Sequence, residues 1–259
     1  MKNFKKLTLI IFFISLNVQI WPVEPMESEN EQELTGDAGE KKEKINKPEQ
    51  DYLEMAVNYI NDRNFVQAKK YLQMAEGSGD EKIFQETQVW KMYVSALEGE
   101  KNLDNTLNVL SGELYAKGLY YISDGWQNYF DKNPSSKDLY ELSLAYKEKL
   151  IVQYPNSEWT KLASMQLVTI FSNQKNYEKA LYYLLKYMDN KTNAGDLNSI
   201  TDDKAWFYLG QILENSKEYR DVQKSMKAYY KVIENPDSMF YSLAKKRISA
   251  LEKFYQITP

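Results

Sequence analysis

The sequence predicts an all-α protein built as an array of antiparallel helical hairpins. From Asp51 onward, apolar residues recur at i, i+3, i+4 and i+7, the spacing that places them on one face of a helix. Polar breaks interrupt this pattern at intervals of about 12 to 18 residues, and no segment alternates as a strand does. Glycine and proline are scarce, at 10 and 7 residues among 259, which suits long helices.

The first 50 residues have a different character from the rest of the chain. Residues 1–23 begin with lysines and continue into an apolar run of signal-peptide length, so we expect an exported protein. Cleavage would leave it in the periplasm, whereas an uncleaved segment 7–21 would tether it to the inner membrane. Residues 24–50 hold nine Asp/Glu against four Lys, with little apolar periodicity, and are predicted to form a disordered acidic linker.

Residues 51–259 are predicted to form one repeat domain. Its units are 51–82, 87–113, 114–155, 157–190 and 202–237, followed by a capping helix at 239–256. Four of the breaks resemble one another, each with a basic residue, one polar residue and then a large apolar residue: Asn61-Asp-Arg-Asn-Phe65, Gly99-Glu-Lys-Asn-Leu103, Asn173-Gln-Lys-Asn-Tyr177 and Asn215-Ser-Lys-Glu-Tyr219. One helix should end and its antiparallel neighbour begin at each break. The Asn at positions 61, 173 and 215 is expected to end a helix, because Asn tolerates left-handed backbone geometry.

Small residues are predicted to bring the helices of a hairpin close together. In the first unit these residues are Ala56, Ala68 and Ala75. Ala180 in the fourth unit and Gly210 in the fifth are expected to act in the same way. Larger apolar residues then fill the space between the two helices and toward the next hairpin.

The third unit is the least regular. Its first half lacks the pattern and contains Gly118, Gly125 and a dense aromatic group: Tyr115, Tyr120, Tyr121, Trp126, Tyr129 and Phe130. The last helix is amphipathic and is expected to cover the end of the stack with six apolar residues: Phe240, Leu243, Ala244, Ile248, Leu251 and Phe254.

These segments align at a spacing of 34 residues or slightly more, and they resemble the tetratricopeptide repeat family. The first hairpin matches the family at eight positions: Tyr52, Met55, Ala56, Tyr59, Phe65, Ala68, Leu72 and Ala75. The resemblance implies a right-handed superhelix of about five hairpins plus a capping helix. The Tyr154-Pro-Asn-Ser157 boundary is similar to envelope repeats of the BamD-like and Tol-associated coordinator types, and the architecture also resembles exported spirochaetal repeat proteins. The sequence has no Cys, so we expect no lipid anchor of the BamD kind.

The composition excludes most familiar catalytic chemistry. There is no Cys and no His, so thiolate and imidazole nucleophiles, bases and metal ligands are absent. No phosphate-binding glycine loop, HExxH motif or EF-hand spacing occurs, and we expect neither cofactor nor metal. The net charge of −4 argues against a nucleic-acid partner. The acidic pairs Asp51-Glu54 and Asp202-Asp203 are expected to cap helix starts.

The resemblance also implies a binding groove lined by the first helix of each hairpin. The corresponding residues here are Leu53, Val57, Ile60, Lys91, Met165, Phe207 and Gln211. The alternative for the apolar members is ordinary packing between neighbouring hairpins. The aromatic residues Tyr121, Trp126 and Tyr129 have two interpretations, additional core or an exposed anchor site for a partner.

The favoured hypothesis is therefore a non-catalytic interaction scaffold of the cell envelope. Its partner would be another envelope protein or a peptide segment, bound and stabilised through the groove or the aromatic hairpin. Participation in outer-membrane protein assembly or in cell-wall and division coordination is a narrower alternative. A glycan-acting enzyme that uses two carboxylates remains an alternative of another class, and self-association by end-to-end stacking is a third.

Overall fold

The structure is a computed structural model that describes residues 48–77, 79–189 and 202–255. Within those residues the chain forms eleven α-helices packed in adjacent pairs and no strand, which confirms the predicted all-α class. The predicted signal segment 1–23 and the predicted linker as far as residue 47 lie outside the described residues. The helices are α1 (Pro48–Asn61), α2 (Phe65–Glu76), α3 (Glu81–Leu97), α4 (Asp104–Leu107), α5 (Gly112–Lys132), α6 (Lys137–Gln153), α7 (Glu158–Asn173), α8 (Tyr177–Asp189), α9 (Asp203–Asn215), α10 (Val222–Ile233) and α11 (Tyr241–Tyr255).

The first helix begins earlier than the sequence pattern indicates. It begins at Pro48, inside the segment predicted as linker. Proline suits the first position of a helix, where its missing N–H has no intrahelical acceptor in any case. Asp51 consequently lies within the first turns of α1 rather than at its start. Asp202 does cap α9, because its side chain accepts a hydrogen bond from the Lys204 N–H at 2.9 Å.

Two of the recurring breaks fold in the same way. Asn61 and Asn173 are the last residues of α1 and α7, as predicted, but the left-handed residue follows two positions later. Arg63 and Lys175 both have φ of 59°. The next residue in each turn is an asparagine whose side chain caps the following helix. The prediction that the first asparagine is left-handed is therefore wrong. The second asparagine of each turn caps the following helix, and this capping fixes the conformation of the turn.

The second predicted unit is not a full hairpin. Its second helix is α4, which has only four residues. Left-handed Gly99 and Gly112 bound this segment, and the twelve residues between them are too few for two turns and a helix of ordinary length. Leu103, Leu107 and Leu110 are nevertheless buried, so the segment covers the core as an irregular loop.

The short α4 segment lets α3 and α5 pack directly against each other. Lys117 pairs with Glu86, and Tyr93 donates to Asp124, both across a separation of 31 residues. The constant separation means that the two helices run in parallel. The segment 112–132, described from the sequence as the least regular, is the longest helix of the described chain.

The buried apolar residues form two clusters that adjoin along α6 and α7. One cluster is formed mainly by α1 to α6 and extends to Ala163, whereas the other runs from Ile151 in α6 to Leu251 in α11. The last helix packs on α10 through Ala244, Ile248 and Leu251, three of the six residues predicted to cover the stack. Phe254 is 77% exposed instead. None of the helices in the described residues is long and apolar enough to cross a membrane.

Candidate partner-binding face

The first helices of successive hairpins form one continuous layer. In the series α1, α3, α5, α7 and α9, each helix except the last contacts the next one, and every helix also contacts its own partner helix. Among the described helices, the second helices α2, α6, α8 and α10 make no comparable contacts with one another. We use the name first-helix layer for α1, α3, α5, α7 and α9.

The densest polar cluster of this layer surrounds the carboxylate of Asp124 in α5. Tyr93 of α3 donates its hydroxyl hydrogen to Oδ2 at 3.2 Å, and Gln166 of α7 donates its amide to Oδ1 at 2.8 Å. Asn128, one turn along α5, donates to Oδ2 at 2.9 Å. Gln166 also donates to the Tyr120 hydroxyl at 3.1 Å. Asp124 therefore joins three helices through neutral donors.

Aromatic rings surround this carboxylate. Tyr121 lies at the centre, with ring centroids 4.8 Å from Trp90, 5.0 Å from Tyr93 and 5.5 Å from both Tyr120 and Trp159. Tyr121 is buried, whereas Tyr93, Tyr120 and Trp159 are half-buried. The layer thus presents partly exposed rings, which give a large contact area with polar tips.

One cation already lies among the rings. The Lys117 ammonium is 5.7 Å from the ring centroid of Trp90 and 5.6 Å from that of Trp159. Both distances are within the range of a cation–π interaction. Lys117 also pairs with Glu86 at 2.6 Å, and both side chains are largely shielded from solvent. We use the name aromatic–acidic patch for Trp90, Tyr93, Lys117, Tyr120, Tyr121, Asp124, Trp159 and Gln166.

The electrostatic field of the patch is negative. Burial, followed by the charges of Asp124, Glu86 and Glu158, raises the pKa of Tyr121 above its ordinary value. Burial and the charge and hydrogen bond of Asp124 also raise the pKa of Tyr93, although Arg63 acts on it in the opposite direction. No described Lys or Arg forms an ion pair with Asp124. The hydroxyls thus stay protonated and can donate.

Part of the predicted groove is buried in the core. Ile60, Met165 and Phe207 are all buried, and Phe207 stacks on Phe240 with ring centroids 4.8 Å apart. Leu53 and Val57 are half-buried and pack against the N-terminal core. These positions favour the alternative interpretation, packing between neighbouring hairpins.

The two polar residues of the predicted groove remain partly accessible. Lys91 donates a hydrogen bond to Glu76 at 2.7 Å. This bond and a second one from Gln88 lower the pKa of the Glu76 carboxyl. Gln211 is half-buried, and its carbonyl oxygen is covered without a hydrogen-bond donor. The predicted groove residues therefore do not form one exposed surface.

The aromatic residues of α5 divide between core and surface. Trp126 is fully buried, donates its indole N–H to the Glu100 carbonyl at 2.6 Å and contacts Tyr146. The anchor interpretation is wrong for Trp126, because its ring reaches no surface. Tyr121 is also buried but forms the centre of the patch, and Tyr129 is half-buried beside Gly99.

The residues predicted to bring helices together all lie in the core. Ala56, Ala68, Ala75 and Ala180 have no exposed surface. Gly210 is buried against the ring of Tyr229, with no room for a side chain.

Three residues of the patch, Lys117, Asp124 and Gln166, were not predicted as site residues from the sequence. On α5 the residues Lys117, Tyr120, Asp124 and Gln127 follow one another at i, i+3, i+7 and i+10, a stripe on one side of the helix. This pattern was available from the sequence. The family positions that selected the groove residues do not include this stripe.

Other parts of the described chain offer less chemistry. No group of three or more acidic residues in the described ranges is placed to hold a metal ion. An open cleft of 610 Å³ lies between two of the recurring turns, lined by residues 174–178 and 215–219. Comparison of the chain with protein-family models, curated proteins and solved structures finds no match in any of the three.

Proposed function

We propose that this chain is a non-catalytic scaffold of the tetratricopeptide type that binds a partner protein through its first-helix layer. The observation that carries the proposal is the aromatic–acidic patch, where side chains of α3, α5 and α7 meet. Partly exposed tyrosine and tryptophan rings beside oriented polar groups are common at protein interfaces. The parallel packing of α3 and α5, and the contacts within the first-helix layer, support a right-handed superhelix with this layer on its concave side.

The proposed location is the cell envelope. The support is the basic and apolar sequence of residues 1–23 and the resemblance to envelope repeats. The protein would reach the periplasm, either free or tethered through residues 7–21. Fractionation of cells that express the full chain, with a variant lacking residues 1–23 as control, tests this location. Recovery of both forms in the cytoplasmic fraction would contradict it.

Affinity capture from the native envelope tests the scaffold function with two matched variants. Leu162 of α7 is 47% exposed on the first-helix layer, and Val152 of α6 is 77% exposed on a second helix. Leu162→Trp should remove a stoichiometric partner, whereas Val152→Trp should retain it. The same indole is added in both variants, so a general effect of an exposed tryptophan would appear in both. Retention of the partner by Leu162→Trp and its loss from Val152→Trp would contradict the proposal.

A further inference from the structure

We infer that the aromatic–acidic patch recognises a cationic side chain, lysine or arginine, in a basic segment of the partner. This inference rests on the proposed scaffold function and specifies the chemistry of the partner. It follows from the neutral hydrogen-bond donors around the Asp124 carboxylate, from the aromatic rings around it and from the acidic residues nearby.

Asp124 is half-buried, and every side chain that donates a hydrogen bond to it is neutral. Its three side-chain donors are Tyr93, Asn128 and Gln166. A carboxylate removed from water is stabilised more by charge-assisted hydrogen bonds than by neutral ones. Neither of two nearby lysines forms an ion pair with Asp124. Lys117 pairs with Glu86, and the buried Lys147 ammonium, on which the Asp124 charge acts, donates to Ser143 and to the Ser123 carbonyl. A cation supplied by a partner would complete the site.

The surrounding rings suit such a cation. Lys117 shows that an ammonium group is accommodated between Trp90 and Trp159 at cation–π distance. Tyr120 and Tyr93 carry their hydroxyls beside Asp124 on the same layer. A planar guanidinium can stack on a ring while it donates to a carboxylate, so arginine should bind more tightly than lysine.

The charges of the patch select against an acidic partner. Asp124, Glu86 and Glu158 all act on Tyr121, and Lys117 neutralises one of the three. An anionic segment placed here would meet uncompensated negative charge, which costs affinity. The partner segment is therefore basic.

Titration of the full chain with end-capped hexaarginine tests the inference, with hexaglycine as the uncharged control. Binding is followed by backbone amide chemical shifts, which should change around Asp124 in α3, α5 and α7. Asp124→Asn keeps the shape but removes the charge, and we expect about tenfold weaker binding of hexaarginine. Glu141→Gln removes an exposed carboxylate on α6 and should change binding by less than about twofold. The acidic residues of 24–47 are present in both variants, so their contribution cancels.

Equal binding to Asp124→Asn and Glu141→Gln would overturn the inference, as would shifts confined to other regions. Glu158→Gln provides a second variant at an exposed carboxylate, with an expected weakening of about threefold. This variant decides the question if Asp124→Asn does not fold. Affinity capture from the envelope distinguishes a failure of the cation site from a failure of the scaffold function. A partner lost from Leu162→Trp but retained by both Asp124→Asn and Glu158→Gln would leave the scaffold in place and remove the cation site.

Discussion

The α9–α10 hairpin and the α3–α5 pair each contain a buried glycine, and the two glycines face different neighbours. A Cβ added to Gly210 would lie 2.6 Å from the ring of Tyr229 in α10, the second helix of the same hairpin. A Cβ added to Gly125 would lie 2.6 Å from the Ala96 Cβ and 3.2 Å from the Leu97 nitrogen in α3, a first helix. In the C-terminal half, glycine brings together the two helices of one hairpin. In the N-terminal half it brings together two first helices.

The difference follows from the length of the intervening segment. Only the four-residue α4 and irregular loops separate α3 from α5, so these helices pack side by side in parallel. Their close approach brings Tyr93 within hydrogen-bond distance of Asp124. The candidate binding face is thus a consequence of the reduced second hairpin. In the α9–α10 hairpin, the Glu214 carboxylate instead accepts from Tyr229 and from the cationic Arg247 of α11.

The largest expected effect on stability comes from replacing Trp126, the tryptophan that packs α5 against α6. Trp126 is fully buried and its indole donates to the Glu100 carbonyl, so Trp126→Ala should lower the free energy of unfolding by about 4 kcal/mol. A smaller change in the C-terminal half is Tyr229→Phe, which removes the hydrogen bonds of the hydroxyl with Glu214 and Ser225 and should cost about 2 kcal/mol. Urea unfolding of both variants measures the two losses. Equal losses would show that Trp126 does not hold the N-terminal core.

The two glycines provide the next comparison. Gly125→Ala should destabilise by about 2 to 3 kcal/mol, because the backbone of α3 cannot move aside for the new methyl group. Gly210→Ala should cost about 1 kcal/mol, since the Tyr229 side chain can shift and alanine favours the helix. Thermal and urea unfolding should place the variants in that order. The reverse order would contradict the close packing of α3 on α5.

The buried Lys147 of the α5–α6 hairpin should make the stability of the protein depend on pH. Its ammonium is completely buried and donates to Ser143 at 2.8 Å and to the Ser123 carbonyl at 3.1 Å. Burial lowers its pKa to about 8, so above this pH the folded state releases a proton that the unfolded state keeps until about pH 10.5. The unfolded state then binds more protons, and stability rises with pH in this window.

The measurement is urea unfolding of the wild type and Lys147→Met between pH 7.5 and 9.5. Relative to the variant, the wild type should gain about 2 kcal/mol over this range. Buried tyrosines with raised pKa, such as Tyr121, act in the opposite direction near pH 10. They are common to both proteins, so the comparison cancels them. Parallel stability curves would show that Lys147 is not buried as a cation.

The smallest expected effect concerns the paired turns. Arg63 and Lys175 both adopt φ of 59°, where a side chain is strained and glycine is not. Arg63→Gly and Lys175→Gly should each stabilise by about 0.5 kcal/mol, as strain relief slightly exceeds the entropy cost of glycine. Differential scanning calorimetry resolves such a change. A loss of stability at either position would show that its side chain makes a contact stronger than the strain.

Much of the fold could be predicted from the sequence because helix spacing and turn chemistry are local. The apolar period predicted the class, and the similar breaks at 61–65 and 173–177 predicted the ends of α1 and α7. The capping role of Asp202 was local in the same sense. The length of α4 could not be predicted in this way. The buried Leu103, Leu107 and Leu110 have helical spacing, but their segment is too short for a longer helix with its turns.

The site was harder to predict because it depends on which helices become neighbours. Family positions selected Met165 and Phe207, which are buried, and omitted Asp124 and Gln166. The hydrogen bond between Asp124 and Gln166 spans 42 residues, and its existence depends on the packing of α5 against α7. Neither residue has a local pattern that predicts the contact.

The most direct test of the account is site-specific photo-crosslinking in the native envelope. A benzophenone amino acid at position 162 would stand on the first-helix layer, and the same group at position 152 would stand on a second helix. We expect one discrete crosslinked partner from position 162 and none from position 152. Crosslinks from position 152 alone would contradict the proposal that the first-helix layer is the binding surface.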